Sequence, residues 1–182
     1  DALTMKVRDG GRVINAVAMV ATGVNADGRR EVLGLRVATT ETGAAWNEFF
    51  ADLVARGLAG VALVTSDSHR GLVEAVAANL PGAVWQRCRT HYAANLMAVT
   101  PKSMWPAVKA MLHRVYEQPD GPAVHAQFER LLDYVQDRLP AVADHLDAAR
   151  QDILAFTSFP RDVWCQIWSN NPAERLNREI RR

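Results

Sequence analysis

Apolar positions change period along this chain, and the changes divide it into segments. Residues 1–8 read as a short extended stretch, Asp9-Gly10-Gly11 as a hairpin turn, and residues 13–24 as a long apolar run with β-branched content. A second turn at Asn25-Ala26-Asp27-Gly28 precedes partial alternation over 31–38, so three successive antiparallel strands are expected. Thr42 or Gly43 opens a helical pattern in which Trp46, Phe49, Phe50, Leu53 and Val54 recur at three- and four-residue spacing until Gly57. Residues 61–65 read as a buried strand, and 68–80 as a helix with Leu72, Val73, Val76 and Leu80 on one side, stopped by Pro81-Gly82. Residues 83–87 form a further short strand. This order predicts an α/β core, a mixed sheet flanked by helices.

From about residue 90 to 157 no strand-like run occurs. Helices are predicted over 91–98, 105–116, 123–139 and 141–156, separated by Pro101, Pro119-Asp120-Gly121-Pro122 and Pro140. Trp46, Phe49, Trp105, Tyr116, Phe128 and Phe156 sit within helical apolar patterns and are expected to pack in cores. Ser169-Asn170-Asn171-Pro172 then caps a last helix, with Glu174 on its first turn. The domain reading is a first core segment at 1–89, an all-helical insertion at 90–157, and a return to the core at 158–182.

Composition narrows the function classes. The chain is 49% hydrophobic with 8 Pro and 11 Gly, which excludes a disordered tail. Its 21 basic and 20 acidic residues leave a net charge of +1, so no global field draws it to nucleic acid, and any such contact needs a local patch. All the basic residues but Lys6, Lys102 and Lys109 are Arg. Two cysteines, Cys88 and Cys165, are too few for a disulfide framework and fit a reducing cytoplasm. No apolar run has the length of a membrane span, and no secretory leader is present. Because the chain opens on a candidate site residue rather than Met, it reads as a piece of something longer.

Three acids stand in informative contexts. Asp1 opens the first strand, Asp67 ends the apolar strand before it, where ligand-binding carboxylates of α/β sheets project, and Glu174 begins a helix. Distant carboxylates gathered by a fold suit a two-metal centre, in which hard oxygen ligands hold divalent ions about 3.5–4 Å apart on a phosphodiester. Cys88-Arg89-Thr90-His91 is a Cys-x-x-His pair at a strand exit. With no second closely spaced pair it does not make a structural zinc site, and no third group orients it as a nucleophilic dyad. Lys6 can balance charge or touch a phosphate. Arg175, Arg178 and Arg182 broadly share a face of the last helix and suit backbone contacts to DNA. Trp168, just before the Asn-rich entry to Glu174, either buttresses that helix or stacks on a base.

Five stretches together carry a resemblance over essentially the whole chain. They are Asp1-Ala2 with Lys6, residues 23–34, Ser66-Asp67-Ser68-His69-Arg70-Gly71-Leu72, Trp85-Gln86-Arg87-Cys88-Arg89-Thr90-His91, and residues 167–180. In that order they resemble the bacterial mutator-type transposases of the IS256 group. The resemblance implies an RNase H-like catalytic core of the DDE type, with Asp1, Asp67 and Glu174 as the metal-binding acids and residues 90–157 as the insertion before the Glu. It implies two Mg²⁺ ions, replaceable by Mn²⁺, and cleavage at transposon ends followed by 3′-hydroxyl strand transfer. Cys88 and His91 match the family's Cys/Asp-x-x-His motif near the active site, where His91 would orient DNA or assist proton transfer. The implied partners are double-stranded DNA, at both transposon ends and target, and further copies of the chain in a dimer or larger assembly. The implied location is the bacterial cytoplasm at the nucleoid, with no membrane association. Two other readings stay open: a non-catalytic DNA-binding or scaffold remnant, and an RNase H-like nuclease without strand transfer.

Overall fold

Two adjacent glycines with positive φ, Gly10 at 53° and Gly11 at 79°, make the tight turn that folds the start of the chain back on itself. In the computed structural model, which describes residues 2–25, 27–171, 174 and 179, this turn joins β1 (Ala2–Asp9) to β2 (Arg12–Val24). β3 (Arg30–Ala38) adds antiparallel to the other side of β2, with a bulge between Ala21 and Thr22. The second turn is tied by Asn25, whose Oδ1 accepts from the amides of Asp27 (3.1 Å) and Arg29 (2.9 Å). The three expected antiparallel strands are all present.

Thr42 caps α1 (Gly43–Ala55), its Oγ1 accepting from Ala45 N at 3.2 Å. The helix buries Trp46, Phe49, Phe50 and Leu53 against Val17 and Met19 of β2, roughly 1.5–3 kcal/mol of apolar transfer for each large side chain. β4 (Leu63–Ser66) follows, then α2 (Arg70–Asn79), whose Leu72, Ala75 and Val76 join the same core. α2 begins two residues later than the apolar pattern predicts, because the His69 imidazole acts as its cap, Nδ1 accepting from Leu72 N at 3.3 Å. β5 (Val84–Arg87) pairs with β4. Among the described residues the strands therefore form two hydrogen-bonded sheets, β1–β2–β3 and β4–β5, where one mixed sheet is expected. β4 and β5 are four residues each, and strands so short make few ladder bonds.

The remainder is helical: α3 (Arg89–Val99), α4 (Trp105–Tyr116), α5 (Gly121–Gln136) and α6 (Pro140–Leu154), then a short α7 (Trp164–Ile167). Single 3₁₀ turns precede α4 at Lys102–Met104, follow α6 at Ala155–Ser158, and precede α7 at Arg161–Val163. Proline stands in the first turn of α4, α5 and α6, where its missing N–H costs nothing. The core of this part is built on Tyr92, Leu112, Phe128, Leu146, Ile153 and Phe156. Trp105 departs from expectation. It stands at the first position of α4, a turn before Val108 on the same stripe; its Nε1 donates to Thr100 O at 2.8 Å, and at the helix end it remains 39% exposed rather than packed in a core.

The chain forms two compact units, Asp1–Trp85 with Asn170–Arg182, and Gln86–Ser169. Each has its own hydrophobic core. Within the second unit Gln86 reaches the end of α6, and Trp164 and Trp168 pack edge-on to Phe156, so both flanks of the helical run belong to it. No helix among the described residues is long and apolar enough to cross a membrane.

Candidate active site

Asp67 stands immediately after β4, where the strand's last residue, Ser66, is buried. Ser66 Oγ accepts from Trp85 Nε1 at 2.9 Å and donates to Asp67 O at 2.7 Å, which fixes the backbone that carries the acid. Asp67 Oδ1 accepts from His69 N at 3.3 Å, turning the carboxylate toward the start of α2. His69 in turn accepts through Nδ1 from Leu72 N, which places its proton on Nε2. The strand end, the acid and the helix start are one hydrogen-bonded device.

Glu174 is half-buried and helical, its amide donating to Asn170 O at 3.0 Å. Asn171 and Glu179 are helical too. Glu174 and Asp67 fall in the same compact unit. Asp1, Arg175, Arg178 and Arg182 lie outside the described residues. Lys6 is exposed on β1 opposite Asn15, free to meet an anion and without a structural task in the core.

Cys88, His91 and Trp168 belong to the other unit. Cys88 is fully buried as the cap residue of α3, and its sulfur lies within 4.8 Å of a ring nitrogen of His91. A thiol so enclosed packs rather than reacts. Trp168, 8% exposed, meets Tyr116 and Phe156 edge-on with centroids 5.8 and 5.7 Å apart, and the Arg89 guanidinium covers it at 4.2 Å. Arg89 N also donates to Trp168 O at 2.9 Å. The indole is thus enclosed within the core of the helical unit.

Beside this motif lies a group the sequence reading passed over. The Arg87 guanidinium sits 5.1 Å from the Tyr92 ring centre, and Tyr92 Oη meets His145 Nδ1 at 3.3 Å. Burial pushes the Tyr92 phenol well above its usual range, against the attraction of Arg87, so it stays protonated. Burial, then Arg87, pushes the His145 imidazole down. Burial pushes the Asp152 carboxyl up, with Arg87 opposing it. Nothing in the local sequence spacing joins these four residues, which come from β5, α3 and α6.

A family model described as the Mutator family of transposases matches residues 1–182. Over its whole length the chain is 64% identical to the transposase for insertion sequence element IS1081 of Mycobacterium tuberculosis, of which it spans 44%. It is 35% identical to the transposase for insertion sequence element ISRM5 of Rhizobium meliloti, spanning 46% of it. It is 32% identical to the transposase for insertion sequence element IS256 in transposon Tn4001 of Staphylococcus aureus, spanning 47%. The chain thus spans a little under half the length of these curated relatives.

Proposed function

Because the chain belongs to the Mutator family of transposases, we propose that it is an RNase H-like, DDE-type catalytic core that cuts DNA at transposon ends and joins the freed 3′-hydroxyl to target DNA. The observation that carries this reading is the family match over every residue from 1 to 182. The structure adds support at Asp67. A short, rigid acid follows directly on a strand, with one oxygen held by a backbone N–H, and it shares a compact unit with Glu174.

The donor set fits a hard divalent cation. Asp1, Asp67 and Glu174 would supply carboxylate oxygens, the ligands that Mg²⁺ and Mn²⁺ take in preference to sulfur or imidazole. When bound, a pair of such ions would lower the pKa of the attacking water or 3′-hydroxyl and neutralise the departing oxygen. The protein's part is orientation. His69 N–H holds Asp67 in one rotamer, and the Ser66–Trp85 bond keeps the strand end from shifting when charge gathers beside it. His91 has a supporting part in this reading, as a residue that orients DNA; normal cleavage by His91→Ala removes that part alone. Double-stranded DNA, assembly of two or more copies to hold paired ends, and a place at the nucleoid follow from the same chemistry.

The test compares Asp67→Asn and Glu174→Gln with the parent sequence in a protein carrying the full transposase length. Each substitution should reduce Mg²⁺- or Mn²⁺-dependent cleavage of a transposon-end duplex by about two to three orders of magnitude while leaving DNA binding intact. Mn²⁺ binding read by electron paramagnetic resonance should weaken in parallel. Cleavage that survives both substitutions overturns the site. Cleavage without end joining leaves a nuclease.

A further inference from the structure

The net charge of +1 hides a segregation by helix. Residues 75–116 contain no Asp or Glu, and within the helical unit this stretch carries Arg87, Arg89, Lys102, Lys109 and Arg114. From Glu117 to the end of that unit the balance reverses, with nine acids against four arginines. The helical unit is therefore basic along α3 and α4 and acidic along α5 and α6.

α4 shows its positive side to solvent. Val108, Leu112, Val115 and Tyr116 face the core, while Lys109, His113 and Arg114 are exposed, as is Lys102 in the turn before. Among the described residues no carboxylate forms an ion pair with Lys102, Lys109 or Arg114, whereas Arg150 of α6 is held by both Glu129 and Asp147. Trp105, half-exposed, stands at the N-terminal end of the same surface. A stripe of unpaired cations with an aromatic at one end, on a helix about 18 Å long, is matched to a row of backbone phosphates. Arg130 of α5 likewise has no carboxylate ion pair among the described residues, its guanidinium donating to Gln127 Oε1 at 3.3 Å, but it stands between Glu129 and Asp133 in an acidic stretch, whereas no acid lies within residues 75–116.

We propose that the solvent face of α4, with Lys102, Lys109, His113 and Arg114, is a docking surface for the phosphate backbone of duplex DNA, separate from the acids that do chemistry. This rests on the reading that the chain acts on DNA and assigns part of the contact to the helical unit. Contacts of this kind position the duplex without reading its sequence.

The experiment measures binding of a short fluorescently labelled duplex to the 182-residue chain by anisotropy, between about 50 and 200 mM salt. Two variants with the same change in charge are compared: Lys109→Gln/Arg114→Gln on α4, and Arg130→Gln/Arg138→Gln on and just beyond α5. The α4 pair should flatten the slope of log K against log salt by about 1.8, at roughly 0.9 per lost phosphate contact, and weaken binding to unrelated duplex sequences alike. The α5 pair should leave the slope unchanged. Equal flattening by both pairs, or by neither while the parent binds, overturns the α4 surface and leaves the DNA reading standing. A parent chain that binds no duplex overturns the α4 surface together with the proposal that this chain contacts DNA. An α4 pair that behaves as expected alongside an Asp67→Asn protein that still cleaves upholds the surface and sinks only the acid site.

Discussion

Gln86 is completely buried, yet both ends of its amide are used: Nε2 donates to Arg87 O and Ile153 O, and Oε1 accepts from Phe156 N at 2.8 Å. Gln86→Leu would leave the Ile153 carbonyl and the Phe156 amide without these partners and should cost about 2–4 kcal/mol, read by urea denaturation. Asp152 carries a pH prediction. Its folded pKa is raised above the unfolded 3.8, so its contribution is most favourable below that value and is lost as pH rises through the folded value. Asp152→Asn should therefore raise the melting temperature by about 1–3 °C at neutral pH, with the gain fading in acid. His145 runs the other way: its folded pKa lies below 6.5, so its neutral form loses stability for the fold as pH falls from that value toward the lower one. Thermal melts of parent and variant across pH 3–8 check both signs. At this scale the sequence marked Asp67 as a candidate, an acid closing a short apolar run, and the structure places it directly after β4 with one oxygen on His69 N. It did not disclose Gln86 as a clasp, since Ile153 and Phe156 come near only when the chain reverses, nor His69 as a cap, since its partner Leu72 is local but histidine is not among the residues that usually signal a helix start.

At the scale of elements, α1 and α2 meet through two glycines. A Cβ built on Gly71 would lie 2.6 Å from Gly43 Cα and 2.7 Å from Gly43 N, backbone against backbone, with no flexible side chain to yield. Gly71→Ala should force the helices apart and cost about 1–3 kcal/mol, seen as a lower denaturation midpoint with an unchanged slope. The strands and helices themselves were legible. The turn signals, the apolar run over 13–24, the partial alternation over 31–38 and the helical spacings located β1 to β3 and α1 to α6 to within a few residues, because buried positions leave an apolar pattern in the sequence. Two sheets in place of one, and the short α7, were not legible. Four-residue strands and helices carry too few positions for a period to show, and their pairing is decided by neighbours distant in sequence.

The whole molecule consists of two units with separate cores, and that separation is itself testable. Hydrogen exchange followed by mass spectrometry should show Gln86→Leu speeding exchange in α3 to α6 and Gly71→Ala speeding it in α1 and α2, each within its own unit. Uniform acceleration through both units by either variant would contradict it. By itself the sequence determined the element order, the α/β class, the family and the acids expected to carry chemistry, because these follow from local periodicity and from motifs that survive as strings. Only the tertiary structure decided that Trp105 is left partly exposed while Trp168 is enclosed, that Arg87 is set among Tyr92, His145 and Asp152, and that the cations on the solvent face of α4 form no ion pair among the described residues. Exposure and charge pairing are properties of surfaces, and a surface exists only after distant segments have packed.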